Sequence, residues 1–226
     1  MESILESIKI LEKVSSASAY SALWDLGYKN TWMRGIYPIT VNGVHIVGPA
    51  VTVKYLPYRK RLEEDNYRKS AVFQAALTAR EGDIIVMDAM GMDCGIIGDC
   101  VAMGFKVKGV AGVVIDGGVR DTPLIKKIGL PVYARCATPA HIGEKIVPVS
   151  LNTPIECAGV QVNPGDIIVA DDDGVVVIPK EVVSEAAKLG LKHERLDEES
   201  RRRISEGMHL GEAYPPKEEW LRSAGE

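Results

Sequence analysis

"VAGVVIDGGVRDTPLIKKIGLPVYARC", Val110 to Cys136, carries the pattern that decides the fold. It begins with an almost unbroken apolar run and ends with another, "LPVYARC". Between them lie the turn "GGVRD" and a short amphipathic segment, "TPLIKKIG", with Pro123 where a helix starts and Gly129 where it stops. Strand, turn, helix, strand is the pattern of a parallel βαβ unit, whose strands are covered on both faces and so lack polar alternation. The same order extends backwards to Glu81, with "DIIVMDA" as strand, "MGMDCG" as loop and "IIGDCVAMGFKVKG" as helix.

On either side of this layer the pattern changes. Residues 2–26 read as two helical segments, with Ile4, Ile8 and Leu11 on one stripe and Gly27 closing the second. "YPITVNGVHIVGPAVTVKYLP" alternates around Asn42-Gly43, which predicts a hairpin followed by a third strand ending at Pro57. The mixed-sign stretch "YRKRLEEDNYRKS" reads as a solvated loop or lid leading into the helix "SAVFQAALTAR". Beyond Cys136 several short strands are punctuated by Asn-Pro-Gly-Asp and Asp-Gly turns. A charged helix follows from Pro179 to about Ser205, within a protruding carboxy-terminal helical element over about 179–222. With no internal repeat and no low-complexity linker, one α/β domain over 1–226 is expected.

Composition narrows the function. The chain has 226 residues, 46% hydrophobic and 26% charged, enough to bury a core without staples. A formal charge of −4 offers no excess positive field to a phosphate backbone, so nucleic acid is not an expected partner. Cys94, Cys100, Cys136 and Cys157 never fall in C-x-x-C spacing, which argues against a disulfide framework or a thiolate zinc site. Buried free thiols in a reducing cytoplasm are expected. No apolar run approaches a membrane span, and the amino terminus lacks the features of an export signal.

In open α/β sheets ligands gather at the carboxyl ends of strands. Two such ends are polar here, "GMDCGIIGD" and "GGVRD", and if their strands are neighbours Asp99, Arg120 and Asp121 converge. The helix opening at Gly98 leaves its first amides without backbone partners, so Cys100 and Val101 can donate to a carboxylate. Arg120 adds a planar fork of donors, and Asp99 and Asp121 are hard oxygen ligands suited to Mg²⁺ or Mn²⁺. A plainer alternative pairs Arg120 with Asp116 and makes Asp121 a helix cap. The glycines at 91, 95 and 98 also resemble a dinucleotide turn, but Asp99 puts negative charge where a pyrophosphate would sit. Asp171-Asp172-Asp173-Gly174 reads as a hairpin turn rather than a cation loop. Of the four histidines, only His141 is expected near the mouth.

The twenty residues between Asp99 and Arg120-Asp121, together with "GVAGVVIDGGVRD" and "DDDGVVVIP", resemble the RraA-like family, which joins class II pyruvate aldolases such as 4-hydroxy-4-methyl-2-oxoglutarate aldolase with regulators of ribonuclease activity. The likeness runs from about Ser15 to Gly207 and includes "GIYPI" and "VGPAVTV". It implies a layered β/β/α swivelling, phosphohistidine-domain-like fold with mixed sheets and flanking helices. It also implies a direct divalent-metal ligand at Asp121, a water-mediated one at Asp99, a keto-acid held by Arg120, and a carboxylate received at Gly98, Cys100 and Val101. The implied activity is metal-dependent carbon-carbon lyase chemistry on a small 2-oxo acid, with oxaloacetate decarboxylation as companion. The implied assembly is a homotrimer or a dimer of trimers with sites at subunit boundaries. The alternative is a regulatory binding protein of the ribonuclease-regulator type. One departure stands out: Ser21 occupies the place of an early acidic residue of the aldolases. Glu194, Glu198 and Glu199 are candidates to replace its carboxylate.

Overall fold

The computed structural model describes residues 3–59, 69–143 and 145–223. Most of the charged stretch after Tyr58, residues 60–68, lies outside the described residues. Two serine-capped helices begin the chain. In α1 (Ile4–Leu11) Ser3 and Glu6 satisfy each other's amides in a capping box. Ser15 caps α2 (Ser16–Asp25) by accepting from the Ser18 amide.

The central elements are β1 (Tyr37–Pro38), β2 (Ile46–Pro57), α3 (Ala71–Thr78), β3 (Ile84–Gly95), α4 (Asp99–Val107), β4 (Gly112–Val119), α5 (Thr122–Ile128) and β5 (Val132–Ala137). Strands β2, β3, β4 and β5 are parallel neighbours, as the apolar runs separated by helices require. The later strands are β6 (Ile146–Leu151), β7 (Ile155–Cys157), β8 (Val160–Val162), β9 (Ile167–Asp171) and β10 (Gly174–Ile178). The large mixed sheet runs β1-β5-β4-β3-β2-β9-β10, with β6 also on β2, and β7 and β8 form a separate hairpin. These sheets and flanking helices make the layered α/β fold expected from the resemblance.

The Asn42-Gly43 hairpin does not form. Strand β1 pairs with β5, and β2 is one continuous strand whose Ile46–Pro49 end pairs with β9. Gly43 still takes a left-handed turn, with φ 67°. Its amide, however, donates to the Asp172 carboxylate at 2.9 Å, which ties the loop to the β9–β10 turn. The local turn signal was real, but the more apolar strands available elsewhere in the sheet took both flanks.

Three apolar layers follow from strand alternation. Val53, Ile85, Met87, Val113 and Ile115 pack beneath α3, α4 and α5, where Phe105 is fully buried. The opposite face, with Val86, Val114 and Tyr133, is covered by Ile155, Val160 and Val162 of the β7–β8 hairpin. The outer face of β9 and β10 packs on α1, α2 and the long helix α6 (Val183–Ser205) through Leu11, Leu23, Val176 and Ala186. The helical element expected over about 179–222 is broken after Ser205 by Gly207, with φ 99°. The chain then folds back as α7 (Leu210–Ala213) and α8 (Glu219–Ser223). Ser200 donates to the Ala213 carbonyl, and Trp220 stacks under the Arg203 guanidinium.

A polar clamp joins α6 to the amino-terminal helices. One Glu194 oxygen accepts from the Ser15 amide, the Ser15 hydroxyl and the Ser18 hydroxyl at 3.1, 2.7 and 2.8 Å. Burial pushes the Glu194 carboxyl up, but these hydrogen bonds and Arg201 outweigh it and hold the pKa below its ordinary value. A depressed folded pKa gives stabilisation that is complete above the ordinary carboxylate range and is lost as pH falls through the folded value. Glu194→Gln should therefore be less stable than the parent by about 2 kcal/mol at neutral pH. The difference should shrink in acid, as measured by urea unfolding from pH 7 downward.

Candidate active site

The connection from β3 to α4 is bound on both sides by backbone hydrogen bonds. Gly95 donates to the Ala140 carbonyl at 2.9 Å, Ile96 to Gly118 at 2.9 Å, and Arg120 to Ile97 at 3.1 Å. Ile97 is buried and anchors the loop from below. These bonds bring the two polar strand ends together at the carboxyl edge of the sheet. Gly98 then caps α4 with extended backbone, and the amides of Asp99, Cys100 and Val101 form its open first turn. Asp99, half-buried, has a carboxylate with no hydrogen bond or ion pair among the described residues.

Across this loop the Arg120 Nε donates to Asp121 Oδ2 at 3.0 Å, leaving both Nη groups uncommitted among the described residues. Asp121 adopts φ 57°, ψ 29°, a left-handed conformation that costs a non-glycine residue about 1–2 kcal/mol. It stands at the amino-terminal cap of α5, yet its side chain makes no capping bond. Asp116 is engaged elsewhere, with Arg135 Nε and the Ala158 amide. The plainer alternative, an Arg120–Asp116 pair with Asp121 as a side-chain cap, is therefore not what forms.

Two glycines, Gly95 and Gly98, make the space for this pair. A Cβ on Gly95 would lie 2.6–2.9 Å from the Arg120 Cγ, Cβ and Cδ, and one on Gly98 would lie 2.4 Å from Asp121 Oδ2. The glycines of "DGGVRD" have another task. A Cβ on Gly118 would meet the Cys94 carbonyl oxygen at 2.8 Å and Thr138 Cγ2 at 2.7 Å, so its bareness lets the three strand ends close. The signal for Gly95 and Gly98 was their three-residue spacing before a helix; what they face was invisible without the fold.

The remaining candidates divide clearly. His141 pairs with Gly95 in an isolated bridge, and its Nδ1 accepts from the Gly143 amide at 2.8 Å. His193 faces Asp25, and His209 caps α7. Both Asp171 oxygens serve Ser16, through its amide and hydroxyl, so the aspartate run is a hairpin turn whose carboxylates hold neighbouring segments. Among the glutamates, Glu194 is spent on Ser15 and Ser18. Glu199 is held down to about pKa 2 by hydrogen bonds from Arg202 and Arg203. Glu198 is exposed, as is Ser21 on α2. All four cysteines are free; Cys94 and Cys157 are buried, whereas Cys136 is half-buried and Cys100 lies exposed at the site, contrary to the expectation of four buried thiols.

Asp121 and Asp99 offer uncommitted hard oxygen atoms, and the bare Gly98 leaves room beside Asp121 Oδ2, so the donor set fits Mg²⁺ or Mn²⁺. Among the described residues no three His, Cys, Asp or Glu side chains converge into a closed cage. A cation here would be bound by few protein oxygens and keep several waters.

Fold and mouth together define a layered α/β protein with an open helix start beside an arginine and two carboxylates at the carboxyl edge of a mixed sheet. A family model described as RraA-like (Aldolase/RraA) matches residues 13–177, and the chain belongs to that family. A relative from Halalkalibacterium halodurans, provisionally named 4-hydroxy-4-methyl-2-oxoglutarate aldolase, is 39% identical over 184 residues, 80% of this chain and 82% of its own. The solved structure of Streptomyces coelicolor RraAS2, described as an unusual member of the RNase ES inhibitor RraA protein family, matches with a TM-score of 0.78 and 33% identity. That match covers 87% of this chain and 96% of the other. An uncharacterized protein from Pseudomonas syringae pv. tomato matches with a TM-score of 0.79 and 26% identity over 92% and 96%.

The close approach of glycine and side chain can be tested by stability alone. Gly95→Ala should cost about 1–3 kcal/mol through overpacking. Part of that cost should vanish in an Arg120→Ala background, because the Cγ and Cδ contacts are gone while the Cβ contact at 2.8 Å remains. Denaturant unfolding of the two single variants and the double variant measures this coupling.

Proposed function

We propose that this protein is a divalent-cation-dependent carbon-carbon lyase acting on small 2-oxo acids, releasing pyruvate by retro-aldol cleavage and also decarboxylating oxaloacetate. The observation that carries this reading is the Arg120–Asp121 pair seated against Gly95 and Gly98 beside the open first turn of α4. The names of the aldolase relatives support it. In this reading the amides of Cys100 and Val101 receive the substrate carboxylate, with the bare Gly98 giving access. Asp121 would hold the cation directly and Asp99 through a water. A bound Mg²⁺ or Mn²⁺ supplies Lewis acidity at the substrate's carbonyl and carboxylate oxygens.

The chain's own groups then divide the work. As the carbon-carbon bond breaks, its electron pair passes into the 2-oxo group, and the Arg120 guanidinium meets the developing enolate oxygen with its uncommitted Nη donors. In aldol cleavage the substrate hydroxyl must also lose its proton, which a water oriented by Asp99 would accept. Decarboxylation needs no such base, because carbon dioxide leaves with the bond. Protonation of the enolate carbon completes either reaction. We further propose a reducing, cytoplasmic setting, consistent with four free cysteines, and an assembly in multiples of three chains.

A second reading, a regulatory protein of a ribonuclease, is favoured by the likeness to RraAS2. Catalysis separates the two. Pyruvate release from 4-hydroxy-2-oxo acids and oxaloacetate should require Mg²⁺ or Mn²⁺, and Asp121→Ala should abolish it while leaving the circular dichroism unchanged. Arg120→Lys should lose about ten- to a thousandfold, because an ammonium cannot reproduce the planar fork. Undiminished metal-stimulated turnover in both variants would discard the site, and no turnover in the parent would favour the regulator. Sedimentation equilibrium should show a trimer or hexamer; a stable, active monomer would remove the proposed assembly.

A further inference from the structure

Four charged residues stand side by side across the sheet face opposite the helices. Lys54 of β2 is directly paired in register with Asp88 of β3. Asp116 of β4 and Arg135 of β5 each come one residue after the regular pairs Met87↔Ile115 and Ile115↔Ala134. Alternation turns their neighbours Val53, Met87, Ile115 and Ala134 into the helix-covered core, so these four point the other way. The result is a row of signs, plus, minus, minus, plus, at the carboxyl ends of four parallel strands. It forms part of the lining of a cavity of about 440 Å³, to which Glu156 adds a fifth charge.

The cavity has the features of a built site. Beside the row, β3 takes two successive left-handed residues, Met90 at φ 55° and Gly91 at φ 69°. The ladder to β4 is interrupted there, between Met87 and Met92. Such strain in a non-glycine residue persists where surrounding structure holds it, often at ligand sites. Leu56 and Met90, both substantially exposed, give the cavity an apolar rim. Concave apolar walls with a few convergent polar groups are the usual form of a small-molecule site.

The polar groups are only partly spent on one another. Each Asp116 oxygen already has a partner, one accepting from Arg135 Nε and the other from the Ala158 amide. Asp88 is 5% exposed, yet one of its oxygens receives only a 3.3 Å bond from the Met90 amide and the other has no partner among the described residues. Burial pushes its carboxyl above the ordinary range, with Glu156 and Asp116 adding to the rise and the Met90 amide and Lys54 opposing it. The Lys54 ammonium forms no hydrogen bond or ion pair among the described residues, and both Nη groups of Arg135 are likewise uncommitted. Glu156 spends one oxygen on the Gly159 amide and keeps the other.

We propose that this row is the floor of a second ligand site, for a small carboxylate that also carries a hydroxyl or ammonium group on a neighbouring carbon. The ligand carboxylate takes the free donors of Lys54 and Arg135, and its hydrogen-bond donor reaches Asp88 or Glu156. Unlike groups that are close but unpaired call for a ligand carrying both an acceptor anion and a donor. The helix-side mouth at Gly98 and Arg120 plays no part in it.

The experiment is an amide-resolved magnetic resonance titration of the full chain in chelator, with L-lactate and L-alanine as the hydroxyl and ammonium probes and propionate as the control lacking a donor. At least one probe should shift the amides of Met90, Gly91 and Ala158, and propionate should bind about tenfold more weakly, the worth of one charge-assisted hydrogen bond. Lys54→Met and the isosteric Asp88→Asn should each weaken binding by about tenfold or more, and Arg120→Lys should leave it unchanged. The proposal is overturned if no probe shifts those amides at tens of millimolar, or if propionate binds equally. It is also overturned if the shifts fall at Cys100 and Val101 and disappear in Arg120→Lys. If Lys54→Met alters the sedimenting mass without altering binding, the row belongs to a chain-chain contact instead. Because the two sites report through different amides, failure here leaves the lyase reading standing.

Discussion

Everything at the carboxyl edge depends on one short set of backbone hydrogen bonds. Gly95, Ile96 and Ile97 lie between the end of β4 and the segment after β5, with Ala140, Gly118 and Arg120 as their partners. Closing three strand ends so tightly leaves no room for side chains at Gly95, Gly98 and Gly118. In return, it sets Arg120 and Asp121 against the open amides of α4. The left-handed conformation of Asp121 is a cost this framework sustains, since the backbone on both sides is already committed.

The same sheet edge carries different groups on its two faces. On the helix-bearing face, glycines and the uncapped first turn of α4 lie beside Arg120 and Asp121. On the other face, in-register charged residues make a pocket whose buried carboxylate is only partly satisfied. Parallel strands that end together put both sets of residues at the carboxyl edge, and the period of two separates them. The long helix α6 is remote from this chemistry in its observed bonding, since Glu194 serves as a clamp on α2 and Glu199 as a partner of two arginines.

Much of this was legible in the chain. Continuous apolar strands around short helices specify a parallel layer, and the layer with its flanking helices is what forms. The meeting of the loop before α4 with Arg120 and Asp121 follows from the rule that polar strand ends meet at the carboxyl edge. The Asn42-Gly43 hairpin was misread because a turn signal reports local geometry, whereas pairing is won by whichever strands bury more surface together. The continuation past Ser205 failed for a related reason: helical composition resumes, but Gly207 reverses the chain so that Trp220 can cover α6.

What the sequence by itself determined is what acts over a few residues or through a fixed period: the βαβ alternation, the helix start at Pro123 and stop at Gly129, and the open amides after Gly98. Only the tertiary structure decided which groups are spent on each other. Asp116 went to Arg135 rather than Arg120, Asp171 to Ser16, and Glu194 to Ser15 and Ser18, leaving Asp99, Lys54 and the Nη groups of Arg120 uncommitted among the described residues. The reason is physical: a hydrogen bond needs its partners within about 3 Å, and the register that brings residues so far apart in sequence to that distance is set by the packing of the whole sheet.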